Sequence, residues 1–347
     1  MSRKKARVTL AEIAAAAGVS VTTVSNVANG RLEMMSPSTR ERVETVMRRL
    51  NYRPNEGARG LRLAQRRAIG LLMIDESPRF LADPMNTNIV AGLSNYLSVH
   101  GYVLLMAGIS PGAIDQTPLI RRDQTDALCV IPSGSIAERR QLYQRLADAD
   151  QPVLVFQDEV PSSLADALSL RQDDRRAGAL IAERVIARGA RHLALLTPSQ
   201  RWPAMAERQA GIQAVVEAEV EASGEDIRFD IVVSGSEALA DTQTAITRYV
   251  DRGTLPDAFL GGNDQMAIAA IMWALDRHLS VPGDVKVTGF NAFDFAEYIR
   301  PRLTTVRSPA YEMGKQGAAL LLKRLADGGF ADREVLLDVT LQPGESD

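Results

Sequence analysis

A small all-α helix-turn-helix head followed by a larger α/β core with parallel sheets is the fold class this sequence predicts, and three observations predict it. Residues 9–29 read TLAEIAAAAGVSVTTVSNVAN, an alanine-rich helix, a turn at Gly18-Val19-Ser20 and a second helix studded with hydroxyls. From Ala68 onward, short apolar runs alternate with amphipathic stretches, as strands and helices do in parallel sheets covered on both faces. Charge divides the chain at the same place. Residues 1–67 hold 14 Lys+Arg against 5 Asp+Glu, a net +9, whereas residues 68–347 hold 26 against 38, a net −12. The overall charge of −3 therefore conceals a basic head suited to a polyanion and an acidic body repelled by one.

In the head, Leu10, Ile13, Ala14 and Ala17 fall on one helical stripe, Gly18 permits the turn and Ser20 is placed to cap the next helix. Val24, Val27 and Ala28 then face inward, and Val21, Thr22, Ser25 and Asn26 point out. An ordinary helical hairpin has the same apolar pattern; its basic setting favours a DNA reader. Asn29-Gly30 breaks the second helix, and Ser36-Pro37 starts a third that runs through Arg40, Val43, Val46, Met47 and Leu50. Tyr52 and Pro54 end the head. Residues 55–67, NEGARGLRLAQRR, carry a weak helical pattern interrupted by Gly57 and Gly60 and read as a linker.

The core reads as AIGLLMI, a helix around Ile89 to Val99, YVLLM, ALCVI, a helix from Ile136, and PVLVF. The second half repeats the rhythm with HLALL, a helix from Ala204 to Val220, DIVV, a helix near Leu239 to Tyr249, AFLGG, a helix from Asp264 to Arg277, and DVKVTGF. VLLDVTL is a last strand. Ligands of such folds sit outside the carboxyl ends of the strands. No G-x-G-x-x-G, P-loop, nucleophile elbow, metal-ligand cluster or motif-placed carboxylate pair occurs there, so no enzyme activity and no cofactor are expected. Cys129, the one cysteine, lies within ALCVI and reads as a small buried side chain; His100, His192 and His278 lack metal-ligand spacing. The basic N-terminus is not followed by an apolar signal core, and no run reaches membrane length, so a cytoplasmic location with no membrane contact is expected.

These residues together resemble the LacI/GalR family of bacterial transcriptional regulators. The head carries Val8-Thr9-Leu10, Ile13-Ala14, Ala17-Gly18-Val19-Ser20, Thr23-Val24-Ser25, Asn29, Ser36, Thr39-Arg40, Val43 and Leu50-Asn51-Tyr52-Arg53-Pro54-Asn55. Ala58-Arg59 with Leu61 matches the family's hinge and Ile69-Gly70 its first core strand. Further matches are Asp173 with Gly178, Glu207-Arg208 with Gly211, Asn263-Asp264, Val287-Thr288-Gly289-Phe290, Leu303-Thr304-Thr305-Val306 and Met313-Gly314.

The resemblance implies that the second helix lies in the major groove of a palindromic operator. Val21, Thr22 and Asn26 occupy base-reading places, and Thr9, Ser20, Thr23, Ser25 and Asn29 phosphate-contacting ones. A staple on the helix start is the alternative role for Val21. Ala58, Arg59 and Leu61 would form a hinge helix entering the minor groove. The implied domains are 1–54 (DNA binding), 55–67 (hinge) and 68–347, a periplasmic-binding-protein-like core that binds effector and dimerises. Its first subdomain would span about 68–160 and 293–323, its second about 161–292 and 324–347, joined by three crossovers.

A small effector between the subdomains would meet Met85-Asn86 and Gln157-Asp158 on one side, Asn86 and Asp158 foremost, and Trp202, Arg208, Asn263 and Asn291 on the other. Asn291 stands where the family usually has an acidic residue, Glu237 near the place of an aromatic platform, and Pro78–Ala82 as an insertion beside the pocket mouth. A sugar or sugar derivative is the leading ligand class and a nucleobase the second. No leucine heptad follows VLLDVTL, so a homodimer is expected. The competing functions are a soluble sugar-binding protein and an α/β enzyme with an appended DNA domain; a repressor controlled by effector accounts for the basic head as they do not.

Overall fold

The computed structural model describes all residues except 1–7, 29–34, 53–65, 76, 77, 79, 121–123, 200, 201 and 254. The chain forms two compact units, Met1–Arg66 and Arg67–Asp347. Asn29, Ala58, Arg59 and Leu61, with the glycines of the linker, lie outside the described residues.

In the first unit, α1 (Leu10–Ala17), α2 (Val21–Ala28) and α3 (Pro37–Arg49) pack around Ile13, Ala14, Ala17, Val24, Val43 and Val46. Thr9 caps α1 in a reciprocal box with Glu12. Gly18 at φ +63° ends α1, and α2 leaves it at 109°. The Ser20 hydroxyl accepts the Thr23 N–H at 3.1 Å at the start of α2, and Ser36 caps α3 ahead of Pro37. Val24 is fully buried, Val27 and Ala28 are half-buried, and Val21 and Thr22 are exposed. Each follows from the 3.6-residue period, which turns those two groups to opposite sides of α2.

The second unit holds two six-stranded sheets. The first contains β1 (Ala68–Ile74), β2 (Val103–Ile109), β3 (Ala127–Ile131), β4 (Val153–Phe156), β5 (Ala167–Gln172) and β11 (Glu334–Leu337), in the spatial order β11-β5-β4-β3-β1-β2, all parallel. The second contains β6 (His192–Pro198), β7 (Arg228–Ser234), β8 (Ala258–Gly261), β9 (Lys286–Asn291), β10 (Thr304–Arg307) and β12 (Thr340–Gln342), in the order β12-β10-β9-β8-β6-β7. Its strands are parallel except for the β10–β12 pair. Helices α4 (Pro84–Val99), α5 (Ile136–Ala147) and α10 (Ala310–Asp327) accompany the first sheet. Helices α6 (Asp174–Ala187), α7 (Pro203–Ser223), α8 (Leu239–Val250) and α9 (Asp264–Asp276) accompany the second.

The chain passes between the sheets three times, after Gln172, after Arg307 and at Asp338-Val339. These points lie a dozen or more residues beyond the expected boundaries at 160, 293 and 323. The sequence reading missed β5, α6, β10 and α10, and it took VLLDVTL as one strand. Val335–Leu337 pairs in the first sheet with β5, whereas Leu341 pairs in the second with β10. A continuous β-rich run carries no mark of a change of partner, because the alternation of faces is the same in either sheet.

Both helix layers rest on a glycine crossing. A Cβ on Gly178 of α6 would stand 2.1 Å from the Arg208 carbonyl oxygen, and one on Gly211 of α7 only 1.9 Å from that of Arg175. Gly92 and Gly314 make the equivalent approach between α4 and α10. The backbones touch, so α6 and α7 move as one body.

Gly211→Ala should therefore destabilise the core by about 1–3 kcal/mol or more through overpacking. Gly253→Ala, whose Cβ would meet nothing within 4 Å, should stay within about 0.5 kcal/mol of wild type. Denaturant melts of the two variants check the contrast.

Candidate functional site

The outward arc of α2 presents Thr22, Ser25 and Asn26, with Val21 at its border. Val21 is 47% exposed, large for an aliphatic side chain. Asn26 is half-buried. Among the expected phosphate contacts, Thr9 is already engaged: its hydroxyl donates to Glu12 Oε2 at 3.0 Å and its N–H to the same oxygen at 2.7 Å. Hydrogen bonds from Thr9 hold the Glu12 carboxyl below its ordinary range. Ser20 and Thr23 share one hydroxyl–hydroxyl bond at 2.8 Å, which leaves one proton of the pair for an outside acceptor.

In the second unit, one cleft is lined from both sheets at the carboxyl ends of their strands. The first sheet supplies Ile74 at the end of β1 and Asp75 after it, Ser133 after β3, Gln157 after β4, and Asp83, Met85 and Asn86 at the start of α4. The second supplies Trp202 and Arg208 of the segment after β6, Asn263 after β8 and Asn291 at the end of β9. The cavity measures about 90 Å³, below the ~300 Å³ at which small-molecule pockets begin.

Arg208 lies at the floor, 4% exposed. Its Nε donates to Asp174 Oδ1 at 2.7 Å, Nη1 to the Gly262 carbonyl at 2.6 Å and Nη2 to Asn291 Oδ1 at 3.3 Å. The guanidinium stands 4.8 Å over the Phe290 ring. Three of its five N–H groups are thus matched among the described residues. Burial pushes the Asp174 carboxyl up, and the Arg208 charge opposes that. Asn291 adopts φ +104°, a region Asn tolerates better than most residues. Asn263 caps α9 by accepting the Met266 N–H at 2.9 Å and donates to Glu237 Oε2 at 2.7 Å. Asn86 donates to the Phe80 carbonyl at 3.0 Å and so pins the inserted segment. The Phe80 ring fills the niche over Gly108, where a Cβ would stand 2.0 Å from it.

Five of the six residues expected around the effector converge on this cleft: Asn86, Trp202, Arg208, Asn263 and Asn291. Asp158 does not line it. Its carboxylate accepts from Arg139 Nη1 at 3.0 Å and Tyr143 Oη at 2.5 Å, both on α5. Gln157, at φ +62°, ends the extended run of β4 and takes the cleft-facing place. Sequence reasoning passed over Asp75 and Asp83 as site residues, although the strand-end rule reaches Asp75. It also passed over Asp174, because its partner Arg208 lies 34 residues away.

Asp83 and Glu237 are both pushed above the ordinary carboxyl range, chiefly by burial. Asp75 raises both, and Asp83 raises Glu237 as well. Asp264, beneath Asn263, is raised to about 7 by burial, against hydrogen bonds from Thr305 and Phe293. No group of His, Cys, Asp and Glu among the described residues is arranged to hold a metal ion. No single described helix is long and apolar enough to cross a membrane.

Comparison with known proteins matches residues 9–55 to the model for bacterial regulatory proteins of the lacI family and residues 182–346 to that for a periplasmic binding protein-like domain. The HTH-type transcriptional repressor PurR of Vibrio atlanticus is 28% identical over 323 residues, 92% of each chain. The ribose operon repressor of Bacillus subtilis is 28% identical over 333 residues, 96% of each. Among solved structures, the Lac repressor dimer bound to operator and an anti-inducer superposes with a TM-score of 0.81 at 24% identity, covering 98% of this chain and 99% of that one.

The raised Glu237 carboxyl sets a pH signature. The folded chain holds this proton to higher pH than the unfolded one, so native stability falls as pH rises past about 4.3, the ordinary glutamate value. Glu237→Gln keeps an acceptor for Asn263 and should match the wild-type thermal midpoint at pH 4, then exceed it at higher pH by a margin that grows until the folded-state carboxyl is itself ionised and levels off beyond. A margin that shrinks with pH contradicts the assignment.

Proposed function

Because the chain belongs to the lacI family of bacterial regulatory proteins, we propose that it is a repressor whose operator affinity is set by a small polar effector bound in the cleft between the two sheets. It is a DNA-binding transcriptional regulator. Residues 1–54 would bind DNA, 55–67 would form the hinge and the remainder would bind effector and dimerise. Val21, Thr22 and Asn26 would read bases; Ser20, Thr23, Ser25 and Asn29 would meet phosphates; Ala58, Arg59 and Leu61 would enter the minor groove. Thr9 joins the phosphate set only by giving up its bond to Glu12.

The observation that carries the effector reading is the convergence of Asn86, Trp202, Arg208, Asn263 and Asn291, from both sheets, on one cleft. Amide groups that both donate and accept, beside Asp75 and Asp83 as acceptors, suit a ligand rich in hydroxyls, and Trp202 offers a face for the apolar side of a ring. A sugar or sugar derivative fits this lining best. A nucleobase is the second reading, favoured by the same Trp202 face.

The regulator would act as a homodimer in the cytoplasm, without catalysing a reaction. Support for self-association comes from the outermost strand β2 and its surroundings, where Val99 is 84% and Val103 56% exposed. A two-fold axis would impose a palindromic operator.

Operator affinity should fall steeply with salt, at about 0.9 logarithmic units per phosphate contact and tenfold rise in salt. Affinity for the best palindrome that stays flat between low and physiological salt would rule out the DNA-binding assignment. Asn26→Ala should relax preference at one symmetric pair of operator positions by about 1–3 kcal/mol, whereas Thr23→Ala should weaken all sequences alike; selection from randomised operators separates the two.

For the effector, sugars, sugar acids and nucleobases should be screened by thermal shift. A ligand at a hundred times its dissociation constant adds about 2.7 kcal/mol of stability. Trp202→Ala and Asn291→Ala should erase that gain while both variants remain folded. Retention of the full gain in both would move the effector out of this cleft.

A further inference from the structure

The edge of the second sheet carries a groove that shares no lining residue with the cleft. β7 is the outermost strand of that sheet, and together with α8 it lines a cavity of about 500 Å³, within the ~300–1,000 Å³ of small-molecule sites. Three arginines surround it: Arg228 at the start of β7, Arg248 on α8 and Arg252 just beyond the end of α8. Ile231 and Val233 of β7, 43% and 61% exposed, supply an apolar wall. The groove therefore joins a cationic end to a hydrophobic side.

Its charge runs against that of its surroundings. Asp241 is the one acidic residue of the lining, so the three arginines leave +2, or +1 once Asp230, which pairs with Arg228, is counted as well. The core that holds this groove carries −12. In so acidic a body arginines find partners readily, as Arg171 does in Glu334, Arg191 in Glu225 and Arg324 in Asp166. Among the described residues, neither Arg248 nor Arg252 pairs with a carboxylate or donates a side-chain hydrogen bond. Arg228 is held in place from behind. Its Nη2 lies 2.7 Å from Asp230 Oδ2, the oxygen that also accepts Tyr249 Oη at 2.6 Å and lies 2.9 Å from His192 Nε2. One carboxylate oxygen thus orients Arg228 while most of its five N–H groups stay available.

We propose that this groove is a second ligand site, which binds a small organic phosphate with its phosphate group on Arg228, Arg248 and Arg252 and its carbon part against Ile231 and Val233. The planar fork of a guanidinium matches the oxygens of an oxyanion. A phosphate monoester presents three terminal oxygens, one for each arginine, whereas a carboxylate presents two. The exposed aliphatic wall gives the carbon part a reason to bind that inorganic phosphate lacks. The site is independent of the effector reading, since it lies outside the cleft.

Titration calorimetry on the full-length protein at constant ionic strength tests this, with phenyl phosphate, inorganic phosphate and citrate as probes. Phenyl phosphate should bind saturably and more tightly than inorganic phosphate. Arg248→Gln/Arg252→Gln should weaken it about tenfold or more, the loss expected when hydrogen bonds to a charged group are removed. Trp202→Ala, altered in the cleft, should bind it as the wild type does. The basic head also attracts phosphate, but these substitutions leave the head unchanged, so binding lost in the double variant belongs to the groove. If the double variant does not fold, Arg252→Gln alone, beyond the end of α8, serves with the same outcomes. No saturation by about 10 mM phenyl phosphate, or equal affinity in the wild type and the arginine variant, overturns the site. Loss in Trp202→Ala overturns it too, by placing the probe in the cleft. Citrate that binds more tightly than phenyl phosphate and is lost in the arginine variant would make the groove a polycarboxylate site and overturn the phosphate assignment.

Discussion

The buried charge of Arg208 is the constraint around which the core is arranged. A guanidinium 4% exposed is tolerated only where fixed groups replace its water, and it draws them from three separate segments: Asp174, Gly262, and the adjacent Phe290 ring and Asn291 side chain of β9. Removing one partner of such a pair typically costs about 3–5 kcal/mol, because the other charge is left stranded. The arrangement exists only because Gly178 and Gly211 let α6 and α7 touch backbone to backbone, which sets Asp174 within reach of a side chain on the neighbouring helix. Packing fixes the electrostatics here.

That constraint also explains why the cleft is a plausible seat of control. Desolvated hydrogen bonds are strong and directional, so a ligand that meets the remaining donors of Arg208 acts on a group already tied to Asp174, Gly262 and Asn291. Asp75, Asp83 and Glu237 add repulsion that a donor-rich ligand would relieve. The division of charge between the basic head and the acidic core serves a separate end. It directs the head to a polyanion and keeps the core off it, an effect that acts over a Debye length and needs no particular contact.

Much of the site was legible in the sequence, and the exceptions have physical causes. Arg208, Asn263 and Asn291 were found through the resemblance to the LacI/GalR family, whose motif positions they occupy. Of the expected pair Gln157-Asp158, only Gln157 lines the cleft. The left-handed turn at Gln157 decides which neighbour faces the cleft, and Arg139 and Tyr143 of α5 hold the other away. The last apolar run was read as one strand although β11 and β12 pair in different sheets, since nothing local distinguishes a strand that stays from one that crosses.

The sequence by itself determined the three capped helices of the head, the outward polar arc of α2, the alternation that makes parallel sheets and the opposite charges of head and core. Each of these is local, arising from periodicity, capping chemistry or composition within a short window. Only the tertiary structure decided where the chain crosses between sheets, that Asp174 neutralises Arg208, and that Arg248 and Arg252 share a groove with Arg228. Such pairings depend on how whole helices and strands pack, and a chain's pattern of apolar residues specifies which face is buried without specifying what it is buried against.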